Sequence, residues 1–275
     1  MTATETRTTV ILLTSLVVIS VAAGTFLTIY LIEMVVPDNP PRLDVQLSKL
    51  LEIWNPNSTH ELPYQDYITP ANPAIRQLSE QVDGKVEAYQ IAVNWVWVSD
   101  TTLNQVTEKW LMPHTFLVDT PHYPTNPATP RAASDCEEQA NALVSLLRAE
   151  GVEAGNVRVV LGTVNLGGAE GGHAWVEVYE DNQWLALEAT TGPFYDDDSL
   201  KLIEKNGLPY NYYKRHDYPS VEIWFCYNDI YYVDVIHSKQ NAPSHWLTTQ
   251  VADNFSIEII EQAWKLLIPS AFSDS

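Results

Sequence analysis

Ser134-Asp135-Cys136-Glu137-Glu138-Gln139-Ala140-Asn141-Ala142-Leu143-Val144-Ser145-Leu146-Leu147-Arg148-Ala149-Glu150-Gly151 is the stretch that decides how the chain folds. Ala140, Leu143, Val144 and Leu147 recur at helical spacing and form a buried face. Ser134 or Asp135 is placed to cap this helix, Glu137 or Glu138 to complete a capping box, and Gly151 to end it. Cys136 then stands in the first turn, where N–H groups without intrahelical partners carry partial positive charge. That field favours thiolate over thiol and draws a cysteine pKa from about 8.5 into a range of roughly 3.5–7.5. Glu137 and Glu138 oppose the shift, so a second positive partner is needed. The plain alternative for Cys136 is a small buried apolar residue at a helix start.

Downstream the period changes to that of strands. Val157, Val159, Leu161 and Thr163 alternate with Arg158, Val160 and Gly162 as a mostly buried strand. Gly167-Gly168 and Gly171-Gly172 read as a flexible loop around Glu170. His173 to Tyr179 and Gln183 to Ala189 flank Glu180-Asp181-Asn182 as a hairpin. With its turn at Asp181-Asn182, residue 173 pairs with about residue 190, and Glu188 lies a diagonal step from His173 on the same face. A carboxylate there holds one imidazole nitrogen while the other faces the thiol, the arrangement of nucleophile, base and orienter that acyl transfer needs. Taken alone, His173 beside Trp175 reads as a packed or surface residue. Val221 to Tyr227 and Ile230 to Val235, joined at Asn228-Asp229, add two more strands.

Upstream, Leu43, Leu47, Leu50, Leu51 and Trp54 form a helical stripe, and residues 55–72, rich in Pro, Asn and Tyr, read as a long surface loop. Ile75, Leu78 and Val82 follow Pro73 as one helical stripe; after Gly84, Val86, Tyr89 and Val93 continue it into Trp95-Val96-Trp97-Val98. The proline-rich stretch 112–133 is a connecting loop, and Ile257, Ile260, Trp264 and Leu267 mark a final helix. Helices first and an antiparallel sheet afterwards make an α+β domain.

Three segments carry a family resemblance. Asp135-Cys136-Glu137-Glu138-Gln139-Ala140 with Leu146 to Val152 resembles the cysteine-helix motif of the transglutaminase-like superfamily. Gly172-His173-Ala174-Trp175-Val176-Glu177-Val178 resembles its histidine strand, and Trp184-Leu185-Ala186-Leu187-Glu188-Ala189-Thr190 its Trp-x-x-x-Asp-x-Thr segment. The resemblance spans about residues 73–195 and implies a papain-like fold: a nucleophile at a helix N-terminus packed on an antiparallel sheet. It implies Cys136 as nucleophile, His173 as base and Glu188 as orienter, acting on amide bonds in proteins or peptides by hydrolysis or by crosslinking to an amine. Glu188 departs from the family's usual Asp by one methylene. The superfamily also includes members without activity, so a non-catalytic binding or assembly module is the alternative.

No charge interrupts Thr8 to Ile32, a run long enough to cross a bilayer core of roughly 30 Å. With Arg7 before it and Glu33 and Asp38 after it, the expected arrangement is a single-pass cell-membrane protein with a cytoplasmic N-terminus and an extracytoplasmic domain. A cleaved leader ending near Val21-Ala22-Ala23 is the competing reading. The expected organisation is an anchor over 1–36, a linker and amphipathic helix over 37–72, a catalytic core over 73–195 and a C-terminal β/α extension packed on the core over 196–275. The sequons at Asn57 and Asn254 fit an exported surface. A net charge of −20 repels phosphate backbones, so nucleic acid is an unfavourable partner.

Of the two cysteines, Cys226 lies in an apolar strand as a buried small residue, and a Cys136–Cys226 disulfide is the bland account of both. Trp97 and Gln139 are candidate oxyanion donors beside the Cys136 backbone N–H. Asp196-Asp197-Asp198 reads as a solvated acidic loop rather than a Ca²⁺ site, and the remaining histidines lack metal-ligand spacing. No cofactor and no metal is expected.

Overall fold

Proline at a first helical position leaves no donor unsatisfied, and α1 (Pro73–Ser79) starts this way, with Asn72 Oδ1 accepting from the Ala74 N–H at 2.9 Å. After Gly84 comes α2 (Lys85–Ala92), which buries Ala88, Tyr89 and Ala92. Of the expected stripe, Tyr89 and Val93 are buried and Val86 is exposed, and Ala88 and Ala92 complete the inward face of α2. The computed structural model describes His60 and residues 62–247 apart from Gly167. The expected anchor over 8–32, the stripe over 42–54, both sequons and the final helix over 257–267 lie outside the described residues. Among those described, no helix is long and apolar enough to cross a membrane.

The chain continues through β1 (Val96–Trp97), α3 (Asp100–Leu103), β2 (Ala133–Ser134), α4 (Cys136–Ala149) and β3 (Val157–Leu166). It then forms β4 (Ala169–Glu180), β5 (Gln183–Leu187), β6 (Phe194–Asp196), β7 (Lys201–Ile203), β8 (Ser220–Tyr227), β9 (Tyr232–Asp234) and β10 (Lys239–Gln240). The strands make two sheets, ordered β2-β1-β6-β7 and β10-β9-β8-β3-β4-β5. This is a mixed α+β fold. Strand pairing in both sheets runs past residue 195: β6 spans that position and pairs with β7, and β8 runs antiparallel along β3. Residues 220–240 supply β8, β9 and β10 of the same six-stranded sheet as β3 and β4.

α4 is enclosed from Glu137 to Leu147, polar positions included. The expected one-sided apolar face is exceeded because β3 and β4 lie against one flank and α1 and α2 against others. Its inward polar groups find partners: Tyr227 Oη donates to Asn141 Oδ1 at 2.8 Å, and Ser145 Oγ accepts from the Thr69 N–H at 2.9 Å. The helix closes at Gly151, φ +89°, with Val152 N–H on Leu147 O and Gly151 N–H on Arg148 O, the two bonds of a left-handed C-terminal cap.

Two loop expectations are corrected. Pro63–Tyr67 is a 3₁₀ turn rather than surface loop, with Leu62, Tyr64 and Ile68 buried; Tyr64 packs on Trp110, Phe225 and Tyr227. The apolar and aromatic residues between the prolines drive this burial. In the glycine-rich stretch, Ala169 to Gly172 are strand rather than loop, paired with Leu166 to Thr163 of β3, while Gly168 stays in the turn with positive φ. Residues 112–133, by contrast, connect as expected, through a π turn over Thr115–Asp119 and a 3₁₀ turn over Thr120–His122.

The turn between β4 and β5 fixes the register. Asp181 and Asn182 both have positive φ, 53° and 63°, as a two-residue hairpin turn demands. Pairing then runs from Glu180↔Gln183 to Val176↔Leu187, and extended by three residues it sets His173 opposite 190. His173 itself pairs across β3 with Gly162, where a Cβ would collide with Glu222 O and touch Trp175. Gly162→Ala is expected to lower stability by about 1–3 kcal/mol, as overpacking at a closed site does. Gly171→Ala, with nothing within 4 Å of its Cβ, should stay within about 0.5 kcal/mol of wild type. Urea unfolding of the two variants side by side measures the difference.

Candidate active site

Asp135 is the N-cap residue of α4, yet its side chain caps nothing. The expected capping box is replaced by a carboxylate network. Ser134 Oγ donates to Glu138 Oε2 at 2.7 Å and the Leu111 N–H to Glu138 Oε1 at 2.7 Å. Asp135 shares a hydrogen bond with Glu138, and Asp100 accepts from Asn104 Nδ2 at 2.7 Å and from the Lys109 N–H. Burial, reinforced by the neighbouring carboxyls, holds Asp135 well above the carboxylate range and pushes Glu138 up to about 8; burial also raises Asp100. Asp135 keeps some surface as a residue, but its carboxyl group is enclosed.

Cys136 follows as the first residue of α4, half-buried, with its thiol donating to Glu137 Oε2 at 3.1 Å. Both cysteines are free thiols, so the Cys136–Cys226 bridge is not formed. Cys226 faces Val160 and Val233 within the sheet, and burial pushes its thiol up to about 11.

His173 is buried near the start of β4, with Nε2 2.8 Å from Glu188 Oε2. Glu188 lies just past β5 as the cap of a 3₁₀ turn, Ala189–Thr191, and is fully enclosed. Its Oε1 accepts from the Thr190 N–H at 3.0 Å and Thr190 Oγ1 at 2.7 Å, and its Oε2 also accepts from Tyr218 Oη at 2.6 Å. Burial alone would raise this carboxyl. The positive charge of His173 and the hydrogen bonds from His173, Tyr218 and Thr190 outweigh it and hold Glu188 below the usual range. Against an anionic Glu188 the imidazole carries its proton on Nε2, which leaves Nδ1 for other chemistry. Tyr89 Oη donates to the Glu188 carbonyl at 3.1 Å.

Of the two oxyanion candidates, Gln139 is fully buried, and its Nε2 is committed to Ser134 O at 3.0 Å. One of its two amide N–H donors is thus taken up inside the protein. Trp97 is half-buried on β1, in parallel register with Ser134. In the acidic run, Asp197 accepts from Ser99 Oγ at 2.7 Å and Thr102 Oγ1 at 2.5 Å, tying β6 to the start of α3. Carboxylates near Cys136, not that run, lie where a cation could be held: Asp100, Asp135 and Glu138 bring ligand atoms within 4.8 Å of one another, as do Asp135, Cys136 and Glu137. Their donors and shared protons already satisfy the first group.

Sequence reasoning missed Tyr218, Tyr89 and the Ser134–Glu138 contact. Thr190 stood in the quoted segment, but its role as a double donor to Glu188 did not.

The family model described as the transglutaminase-like superfamily matches residues 108–189. Among solved structures, LapG of Legionella pneumophila in its EGTA-treated form is similar over 74% of this chain and 97% of its own, at 14% identity and a TM-score of 0.38. Calcium-bound LapG is similar over 65% of this chain and 96% of its own, at 14% identity and a TM-score of 0.37. No curated protein matches this chain.

The acidic network makes a pH prediction. A carboxyl with folded pKa about 8 and unfolded value 4.5 keeps its proton when folded and releases it when unfolded across that window. Stability therefore falls as pH rises from about 4.5 to 8. Glu138→Gln, which cannot ionise, should flatten that fall in chemical denaturation performed at a series of pH values.

Proposed function

We propose that this chain, which carries a transglutaminase-like superfamily core over residues 108–189, is a thiol hydrolase acting on amide bonds of proteins or peptides. The observation that supports this most is the buried His173–Glu188 pair at 2.8 Å, together with a free thiol in the first turn of α4. Cys136 Sγ attacks the carbonyl carbon after passing its proton to His173 Nδ1, the nitrogen not held by Glu188. Glu188 stabilises the imidazolium, and His173 returns the proton to the leaving amine as the C–N bond breaks. The resulting thioester is cleaved by water, His173 taking the water's proton. An amine in place of water would give crosslinking from the same intermediate. The Cys136 backbone N–H, in the first turn of α4, is one donor for the oxyanion, and Trp97 is the candidate for a second.

A second reading has its own observation. Cys136 Sγ donates to Glu137, which favours the thiol over the thiolate and suits a non-catalytic surface module. Alkylation separates the two. In the enzyme, iodoacetamide modifies Cys136 at about pH 6–7, where an ordinary thiol with pKa about 8.5 stays mostly protonated. Cys226, buried in the sheet, reacts only after unfolding. Cys136→Ser should lower turnover of casein or a peptide library by about 10⁴-fold, as loss of a triad member does. His173→Ala should shift Cys136 alkylation to higher pH. Alkylation at the pH of an ordinary thiol, unchanged by His173→Ala, would favour the module.

The uncharged run Thr8 to Ile32 supports attachment to the cell membrane with the domain outside. The full chain should then sediment with membranes and be accessible to external protease. A mature protein starting near Gly24 in the soluble fraction would refute anchoring while keeping export.

A further inference from the structure

The carboxylate behind His173 has a partner outside the matched segment. Tyr218 precedes β8, is 5% exposed, and directs its Oη to Glu188 Oε2 at 2.6 Å, the same oxygen that meets His173 Nε2 at 2.8 Å. Its ring is clamped between Trp175 at 4.9 Å and Tyr213 at 5.1 Å, centroid to centroid. Trp175 is two residues beyond His173 on the same strand face, so one packed aromatic column reaches both the imidazole and the phenol. Glu188 Oε1 is already filled by Thr190. Tyr218 thus shares Oε2 with His173 and, with Thr190 on Oε1, fixes the plane of the carboxylate.

We propose that Tyr218 is a positioning residue of this centre: its phenol O–H pins Glu188 Oε2 and thereby sets both the orientation of His173 and the strength with which its imidazolium is held. The proposal rests on the reading of Cys136, His173 and Glu188 as an acyl-transfer centre. A hydrogen bond from Tyr218 withdraws charge from the oxygen that His173 uses, so it tempers the imidazolium as well as aligning it. The other groups around this carboxylate are Tyr213, Tyr89 and Lys205, each of which feels its charge; Cys136 bears on Tyr218 directly. Tyr213, Tyr89 and Lys205 make no side-chain hydrogen bond to the carboxylate oxygens, which are taken by His173, Thr190 and Tyr218.

The test follows Cys136 alkylation by iodoacetamide in the detergent-solubilised full chain across pH. A thiolate–imidazolium pair gives two steps, and the upper one marks loss of the imidazolium proton. Tyr218→Phe keeps the ring between Trp175 and Tyr213 and removes only the O–H. Oε2 then keeps more of its charge for His173, and the upper step moves to higher pH by up to about one unit, a tenfold change in proton affinity. Replacing Tyr218 by 3-fluorotyrosine, a stronger donor of the same shape, moves it lower; this variant decides the matter should Tyr218→Phe fail to fold. Histidine-labelled NMR of the same proteins follows the His173 titration without any reaction. A residue that merely packs would change the melting temperature and leave both midpoints in place, and that result overturns the proposal. If Cys136 behaves as an ordinary thiol while the His173 midpoint still responds to Tyr218, the acyl-transfer reading fails and the Tyr218–Glu188–His173 linkage stands.

Discussion

An enclosed carboxylate is affordable to a fold only when donors replace the water it has lost. Glu188 is such a group, and much of the described structure is arranged around it. His173 on β4, the backbone and hydroxyl of Thr190, and Tyr218 ahead of β8 supply its four side-chain bonds. Tyr89 on α2 holds the carbonyl of the same residue. These donors come from segments far apart in the chain, so the site forms only once both halves of the central sheet are in place. The tight turn at Asp181-Asn182 and the absence of a side chain at Gly162 are local conditions for that assembly.

A second electrostatic balance sits at the start of α4. The N–H groups of the first turn carry the positive end of the helix dipole and favour negative charge at Cys136. Glu137 takes up the thiol at 3.1 Å, and behind it Asp135, Glu138 and Asp100 crowd into burial. Burial keeps Glu138 protonated up to about pH 8, which spares Cys136 part of the negative field that four ionised carboxylates would create. His173, held by Glu188 at 2.8 Å, supplies an opposing positive charge when it takes up a proton. Whether thiol or thiolate dominates at Cys136 follows from these opposing terms acting within one turn of helix.

What the sequence disclosed follows the range of the interactions. The α4 pattern and the β4–β5 hairpin depend on residues within about twenty positions of each other, and a period of 3.6 or 2 made them legible. The Asp181-Asn182 turn was enough to place His173 and Glu188 on one face. Tyr218 was not legible, because nothing in its own neighbourhood announces a contact thirty residues away. The run of glycines misled for a related reason: composition suggests a loop, while pairing with β3 makes it strand. Pro63–Tyr67 likewise looked like surface until Tyr64 found Phe225 and Tyr227 from the far side of the chain. The capping box failed because buried carboxyl groups bonded one another instead of the helix N–H groups.

The central claim is that the geometry around Glu188 and α4 makes Cys136 a nucleophile. The far-ultraviolet absorbance of a thiolate reports that state directly, with no substrate required. Titrated as a difference between the wild-type chain and Cys136→Ser, the absorbance should already be present below pH 7 and persist upward. Absorbance appearing only around pH 8.5 or above, the value of an unassisted cysteine, would contradict the account.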